Sequence, residues 1–350
     1  MKASFFKHVL NFNSPSGTSR GVLKTKTSWF IIVTDQNKTG VGECSLIDGL
    51  SPDPQKTFEK TLFEVCKNIN LGLEYFYKNL ISYPSILFGL ETAFLSLKSK
   101  NSFELYPSCF TKHEEGIPIN GLVWMGDKKF MYNQILEKIN SGFDCIKIKI
   151  GALDFKTEID LLKNVRKEFS TKDVEIRVDA NCAFSFNSAL EKLKILSDFS
   201  LHSIEQPIQI RQWENMAYLC ENSPLDIALD EELVGLPCKD KEHMISTINP
   251  KYIILKPSLI GGIRQSEKWI SLAKKNKINW WVTSALESNV GLNAISQWVF
   301  NKSSNMKQGL GTGQLFSNNI LSPLYVKDGS LSYDSKASWD LTFLNPLSLK

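Results

Sequence analysis

The sequence lacks any long apolar run. Charged residues interrupt every hydrophobic stretch before the roughly 18 apolar residues that a membrane-spanning helix requires. The amino terminus, MKASFFKHVLNF, contains Lys2 and Lys7 and has no apolar core of the kind that defines a signal peptide. These absences predict a soluble, cytoplasmic protein with no membrane partner.

Paired cysteines and clusters of one charge are also missing. The seven cysteines are widely separated and form no C-x-x-C pair, so the sequence suggests neither a disulfide framework nor a cysteine-rich zinc site. The net charge of +4 is spread along the chain, and no run of five basic residues occurs. We therefore expect reduced thiols and no nucleic-acid partner.

The composition is that of an ordinary globular protein, with 42% hydrophobic and 22% charged residues among 350. Residues 1–112 contain three predicted strands, with the Ser/Gly-rich NSPSGTSRG joining the first two, and then two helical stretches. This pattern predicts an α+β capping domain over 1–112, completed by residues 322–350 at the carboxyl terminus.

From residue 113 to 321 short strands alternate with amphipathic helices. We predict eight strands, at GIPINGLVW, DCIKIKIG, VEIRVDAN, LHSIEQP, LDIALDEE, YIILKPS, NWWVTSALE and QGLGTG. Eight such units over about 200 residues are typical of an α/β fold, the TIM-type (β/α) barrel. A doubly wound open sheet also alternates, but the chain has no G-x-G-x-x-G turn after its first strand.

Charged residues recur at the ends of these predicted strands. Lys149, Asp179, Glu205, Asp230 and Lys256 follow one another at intervals of 30, 26, 25 and 26 residues, about one βα unit each. The same place on successive parallel strands is the rim of the catalytic face of a barrel, so the five side chains should converge. A structural ion-pair network is the alternative reading of the same pattern.

The three acids offer only hard oxygen ligands, which suits Mg²⁺, with Mn²⁺ possible, rather than zinc. A divalent cation bound by Asp179, Glu205 and Asp230 could hold a substrate carboxylate and stabilise the enediolate formed when its α-proton leaves. Lys149 and Lys256 would then act on opposite faces of that carbon. Removal of such a proton by lysine near Mg²⁺ is the known chemistry of the enolase superfamily.

The ordered motifs K-x-K, RVDAN, EQP, LDE and KPS resemble the muconate-lactonizing branch of that superfamily. The longer stretches PSGTSRG, GVGECSLIDGLSPD, SALESNVGLNAISQW and GLGTGQLF resemble the o-succinylbenzoate synthase family within it. The resemblance implies a modified TIM-type (β/α) barrel with a capping domain. It also implies Mg²⁺-dependent syn dehydration of 2-succinyl-6-hydroxy-2,4-cyclohexadiene-1-carboxylate to o-succinylbenzoate, a step of menaquinone biosynthesis.

The same resemblance assigns roles to residues. Lys149 would be the base and would return the proton to the departing hydroxyl, while Lys256 would stabilise the enediolate from the other face. Asp179, Glu205 and Asp230 would hold the metal. The expected partner is a small-molecule carboxylate with a succinyl arm, and the sequence does not determine the oligomeric state.

Further substrate-binding candidates each have a second reading. Lys147 either tunes Lys149 and touches the substrate, or belongs to a buried ion pair. Asn181 could support the metal ligands. Ser284 and Gly311 resemble positions near the succinyl arm, although a turn would also explain Gly311. Arg20 could belong to a lid over the site or be an exposed loop cation.

Three other functions compete with the dehydration. Dipeptide epimerases carry Asp-x-Asp on the last strand, where this chain has Gly309 and Gly311, but racemization of N-succinylamino acids remains open because both substrates carry a succinyl arm. A Schiff-base aldolase could use Lys256, yet it would leave the three carboxylates unexplained. A non-catalytic barrel would leave all five charged residues unexplained.

Overall fold

The amino-terminal part of the chain is an antiparallel sheet covered by helices. The computed structural model describes residues 1–18, 21–302 and 304–344. The sheet has three strands, and the second strand along the chain lies between the other two. The elements are β1 (Lys2–Thr18), β2 (Gly21–Asp35), β3 (Lys38–Ser45), α1 (Phe58–Lys67), α2 (Gly72–Asn79) and α3 (Pro84–Lys98).

The loop predicted at residues 13–21 is mostly strand. β1 pairs with β2 out to Thr18 and Gly21, and the register shifts between Asn11 and Ser16. Pro15 falls within this irregular stretch, where its missing N–H breaks no ladder hydrogen bond. The turn-forming composition therefore marks a bulged hairpin instead of a long loop. Arg20, the predicted lid residue, lies outside the described residues.

Helix α3 joins this unit to the rest of the molecule. It is apolar on most faces, and nearly all its side chains are buried between β3 and the barrel helices. Gly42 of β3 faces Gly89 of α3 so closely that a Cβ on Gly42 would collide with the carbonyl oxygen of Gly89. Two glycines thus permit the close packing of helix on sheet.

The second unit is a parallel barrel in which strands and helices alternate. In the described residues seven strands pair in chain order from β5 to β11. The elements are β4 (Ile117–Pro118), β5 (Gly121–Val123), α4 (Lys128–Asn140), β6 (Cys145–Lys149), α5 (Phe155–Glu168), β7 (Glu175–Asp179), α6 (Phe186–Ser197), β8 (Ser203–Glu205), α7 (Trp213–Asn222), β9 (Ile227–Leu229), α8 (Lys241–Ile248), β10 (Tyr252–Leu255), α9 (Pro257–Ile260), α10 (Gly262–Lys275), β11 (Asn279–Val282) and α11 (Asn289–Phe300).

The eighth barrel position is a short bridge and not the strand predicted at QGLGTG. Gln308 pairs with Ile119, and Gly309 pairs with Thr283, so these two residues close the ring between β11 and the start of β5. The chain then turns into a 3₁₀ helix at Gly311–Leu315. The barrel is therefore of the modified kind, and the predicted fold class is confirmed: an α/β barrel with an α+β cap.

The carboxyl-terminal hairpin, β12 (Leu324–Lys327) and β13 (Ser330–Tyr333), forms a small antiparallel sheet with β4, which precedes the first barrel strand. Trp339 then stacks on Phe103, with ring centroids 4.2 Å apart. The domain boundary at residue 112 and the assignment of residues 322–350 to the cap stay predictions. Within the described ranges, none of the helices has the length and apolar character to cross a membrane.

Candidate active site

The five regularly spaced charged residues stand at one end of the barrel. Lys149, Asp179 and Glu205 are the last residues of β6, β7 and β8, and Asp230 and Lys256 directly follow β9 and β10. Lys149 lies opposite Asp179 in the parallel register, and Asp179 lies opposite Glu205. Because parallel strands end together, the alternating pattern delivers these side chains to a single rim.

At this rim lysines and carboxylates form a buried set of ion pairs, which we name the upper layer (Lys147, Lys149, Asp179, Glu205, Asp230 and Lys256). Lys147 Nζ lies 3.0 Å from Asp179 Oδ2 and 2.8 Å from Glu205 Oε2. Lys149 Nζ approaches the same Asp179 oxygen at 2.9 Å, and Lys256 donates to Asp230. Two ammonium groups thus share one carboxylate oxygen.

Mutual charge perturbs these groups strongly. Burial raises the pKa of Glu205, and the nearby Asp179 carboxylate raises it further. Burial opposes the charge of Lys147, but Asp179, Glu205 and Asp230 outweigh this effect and raise its pKa. Burial likewise opposes the charge of Asp179, yet Lys147 and Lys149 hold its pKa well below the ordinary value. The acids therefore differ sharply in proton affinity.

The donor set fits a hard cation. The three carboxylates come from adjacent strands, and among the described residues no hydrogen-bond donor reaches the buried Glu205 Oε1. The lysines lie against the other oxygens, and in the described ranges no group of three or more His, Cys, Asp or Glu is arranged as a formed metal cluster. The three carboxylates nevertheless supply the oxygen ligands that Mg²⁺ prefers. A bound cation would also satisfy the buried oxygen that has no partner.

A second set of polar and aromatic side chains lies deeper in the barrel, and we name it the lower layer (Glu175, Arg177, His202, Tyr252 and Trp281). Arg177 donates to Glu175 Oε1 at 2.8 Å and to the Lys307 carbonyl at 2.9 Å. Its guanidinium lies 4.4 Å from the centre of the Trp281 ring. His202 packs against Tyr252 in the same layer, with ring centroids 4.8 Å apart.

A cavity of about 570 Å³ opens above the upper layer. Its floor includes Lys147, Lys149 and Lys256, and its opposite wall comes from the amino-terminal unit, including Leu23 and Ile47. An apolar wall facing a charged floor is the usual form of a small-molecule site. The cavity thus places a ligand between the cap and the carboxyl ends of the strands.

Comparison with known proteins places this geometry in a family. Residues 131–336 match the family described as enolase C-terminal domain-like. The o-succinylbenzoate synthase of Desulfotalea psychrophila is 45% identical, over 95% of this chain and 98% of that protein. The chain belongs to the o-succinylbenzoate synthase family of the enolase superfamily. The resemblance predicted from the sequence motifs is confirmed.

Solved structures agree with this family. The crystal structure of MenC from Desulfotalea psychrophila has a TM-score of 0.85 and 42% sequence identity, and the match covers 95% of this chain and 99% of that one. Muconate lactonizing enzyme from Pseudomonas fluorescens has a TM-score of 0.83 at 19% identity, with 98% of each chain covered. The second likeness shows the shared enolase-superfamily fold alone.

The weaker sequence candidates that fall within the described residues lie together in the cavity. Lys147, Asn181, Ser284 and Gly311 all line the cavity. Ser284 Oγ donates to Glu287 Oε2 at 2.6 Å and accepts from the Glu287 backbone N–H at 3.3 Å, so one oxygen lone pair remains for a ligand. Gly311 begins the 3₁₀ helix and is not on the eighth strand, where the sequence pattern placed it. A Cβ there would lie 3.3 Å from the Ile119 side chain, so larger residues would crowd this wall.

The sequence did not predict the contacts of two buried carboxylates in this o-succinylbenzoate synthase family member, Glu231 and Glu43. Glu231 accepts from Asn181 Nδ2 at 2.9 Å, and its place after Asp230 in LDEE was the only signal for it. Glu43 of the cap accepts from Ser28 Oγ, Ser288 Oγ and the backbone N–H of Gly291 at the start of α11. No sequence pattern links Glu43 to α11, because 245 residues separate it from Ser288.

Proposed function

We propose that the protein is a hydro-lyase that catalyses the Mg²⁺-dependent syn dehydration of 2-succinyl-6-hydroxy-2,4-cyclohexadiene-1-carboxylate to o-succinylbenzoate. The observation that carries the proposal is the 45% identity, over 95% of this chain, to the o-succinylbenzoate synthase of Desulfotalea psychrophila. The convergence of Lys149 and Lys256 on one cavity supports the chemistry. We also propose that the protein is cytoplasmic and that the reaction is a step of menaquinone biosynthesis.

Lys149 is the proposed base. Its Nζ lies at the cavity floor within hydrogen-bond reach of Asp179 and Asn181, so the side chain is held at a fixed place. In its neutral form it would take the proton α to the substrate carboxylate, and as an ammonium it would return that proton to the departing hydroxyl. One residue can serve both steps because a syn elimination uses a single face of the ring.

Lys256 would act on the other face. It lies against Asp230, and burial opposes its charge while Asp230 and Glu205 raise its pKa. A group held as an ammonium is suited to stabilising negative charge on the substrate and not to taking a proton. The two lysines therefore have different proposed roles, although both stand at the rim.

Asp179, Glu205 and Asp230 are the residues that would hold the cation. When bound, Mg²⁺ would supply positive charge against the substrate carboxylate and so lower the cost of removing the neighbouring proton. The lysines would then donate to the carboxylate oxygens that the cation leaves open and to Asn181. Loss of water makes the ring aromatic, so the protein mainly has to stabilise the anionic stage.

Racemization of an N-succinylamino acid is the second candidate, since two lysines face one cavity. The L-amino acid-D/L-Glu epimerase of Francisella philomiragia is 23% identical, over 77% of each chain. A dipeptide epimerase is disfavoured at Gly309, where even a Cβ would collide with the Thr283 hydroxyl. An acid at 309 would therefore require Thr283 to move.

The test is dehydration of the cyclohexadiene substrate by the purified protein, followed by absorbance of the aromatic product. We expect turnover with Mg²⁺ and none after EDTA, with recovery when Mg²⁺ is returned. Glu205→Gln is the matched variant, because it keeps the shape of the side chain and removes one proposed ligand. It should lower turnover at least about 100-fold even at high Mg²⁺. Full activity in EDTA would overturn the metal part of the proposal.

A further inference from the structure

Asn181 connects the proposed base to a second buried carboxylate. Its Oδ1 accepts from Lys149 Nζ at 2.7 Å, and its Nδ2 donates to Glu231 Oε1 at 2.9 Å. All three side chains are buried or nearly so, with Glu231 only 5% exposed. The line Lys149–Asn181–Glu231 therefore runs from the cavity floor into the rim of the barrel.

The backbone also fixes Asn181. Its φ is 41°, in the left-handed region that asparagine tolerates better than most residues. Its N–H donates to Asp179 Oδ1 at 3.0 Å, directly after β7. The turn thus points the amide group between Lys149 and Glu231 before any substrate binds.

We propose that Glu231 is a positioning residue: by fixing the orientation of the Asn181 amide, it holds Lys149 Nζ in place. Glu231 Oε1 accepts from the NH₂ end of the amide, so the amide oxygen faces Lys149. With the amide reversed, two donors would oppose each other at Lys149. The inference rests on the proposed function, in which Lys149 is the base.

Glu231 stands in a short 3₁₀ turn with a matched neighbour. The turn Glu231–Leu233 follows Asp230, so one piece of chain carries both a proposed metal ligand and the positioning carboxylate. The next residue, Glu232, is fully buried as well, but it accepts from Arg211 and Trp213 on the far side of the turn. Its removal should disturb the fold locally without reaching Lys149.

The experiment is a double-mutant cycle with Glu231→Gln and Asn181→Gly. Glutamine keeps the shape but has both a donor and an acceptor end, so it no longer holds Asn181 in one orientation. Glycine removes the amide while accepting the positive φ. We expect Glu231→Gln to lower kcat about tenfold with KM changed less than about twofold, since misplaced catalytic groups cost turnover.

In the Asn181→Gly background, Glu231→Gln should have no further effect on kcat. Glu232→Gln is the control and should lower the melting temperature while kcat stays within about twofold. The charge of Glu231 also acts on Lys256. If Glu231→Gln costs the same with and without Asn181, this direct electrostatic route replaces our inference, and an unchanged kcat in the single variant would also overturn it.

These outcomes are separable from failure of the proposed function. If wild-type protein with Mg²⁺ does not dehydrate the substrate, the proposed function fails. In that case the orientation claim is tested by the side-chain amide NMR signals of Asn181, whose NH₂ protons should change shift in Glu231→Gln but not in Glu232→Gln. No change in the first variant would contradict the inference.

Discussion

The upper and lower layers of the barrel both draw on β7, but the hydrogen-bonding groups of their side chains are satisfied to different degrees. Arg177 in the lower layer has a carboxylate, a carbonyl and an aromatic face as fixed partners. In the upper layer two lysines share one oxygen of Asp179, and no donor among the described residues reaches Glu205 Oε1. Arg177 and Asp179 are thus only two residues apart on β7, yet the arginine is suited to stabilising the fold and the carboxylate to binding a ligand.

The difference shows that the buried charges that stabilise a barrel can be separate from those that bind a ligand. A buried charge whose partners are all present favours one arrangement, whereas a surplus of carboxylates and lysines can exchange partners when a cation or substrate arrives. In the described residues Arg177 and the upper layer share no hydrogen-bond partner. The two layers should therefore respond differently to mutation.

The largest contrast is expected for Lys149→Ala in the upper layer. It should lower kcat about 10²- to 10⁴-fold, the range for loss of a general acid–base group, because no other side chain would take the α-proton from that face. The melting temperature should change little, since Asp179 keeps Lys147 as a partner. Stopped assays and a thermal melt by circular dichroism measure both, and near-normal turnover would remove Lys149 from the role of base.

The reverse pattern is expected for Arg177→Met in the lower layer. Methionine fills similar space but removes the Arg177 donor from the Lys307 carbonyl and from Glu175, which keeps only the weak Cys145 thiol donor on that oxygen among the described residues. The free energy of unfolding should fall by about 3–4 kcal/mol, as when one member of a buried pair is removed. At 20 °C, kcat per folded molecule should change less than about fivefold, because the Arg177 side chain, although it lies next to the upper layer in the strand register, shares no hydrogen-bond partner with it among the described residues. A collapse of kcat with unchanged stability would mean that the two layers are coupled.

A smaller effect is expected at Asp53, a buried carboxyl that has donors but no cation beside it among the described residues. Burial raises its pKa to about 7, although Ser85 at the start of α3 donates to it. The folded protein thus holds the proton more tightly than the unfolded chain, whose ordinary value is 3.8. The stabilisation is complete below pH 4 and is lost as the pH rises to 7, at roughly 1 kcal/mol per pH unit.

Asp53→Asn should remove that slope, since an amide does not titrate in this range. Urea unfolding of both proteins at several pH values between 4 and 8 measures the difference. The variant should gain stability relative to wild type as the pH rises. A parallel pH dependence in the two proteins would show that Asp53 stays ionised when buried.

Much of the fold and the core of the site were predictable because they depend on local periodicity. Parallel strands end together, so a spacing of one βα unit was enough to expect Lys149, Asp179 and Glu205 side by side. The eighth strand was predicted wrongly, because Gln308 and Gly309 are held by bridges and a close approach to Thr283 that leave no periodic signal. The bulged hairpin around Pro15 was missed because its composition is that of a loop.

Contacts between distant parts of the chain could not be predicted. Glu43 meets α11, and the cap supplies Leu23 and Ile47 to the cavity, only after the two units pack together. The partner of Asn181 was also hidden, since Glu231 comes from a different strand end. Such contacts depend on tertiary packing, and a single sequence carries no spacing rule for them.

The central claim is that the upper layer performs dehydration, and one comparison tests it most directly. The kcat/KM of the purified protein with Mg²⁺ is measured for 2-succinyl-6-hydroxy-2,4-cyclohexadiene-1-carboxylate and for racemization of an N-succinylamino acid. We predict that dehydration has the higher value and that Lys149→Ala lowers it about 10²- to 10⁴-fold. Efficient racemization with little or no dehydration would contradict the claim.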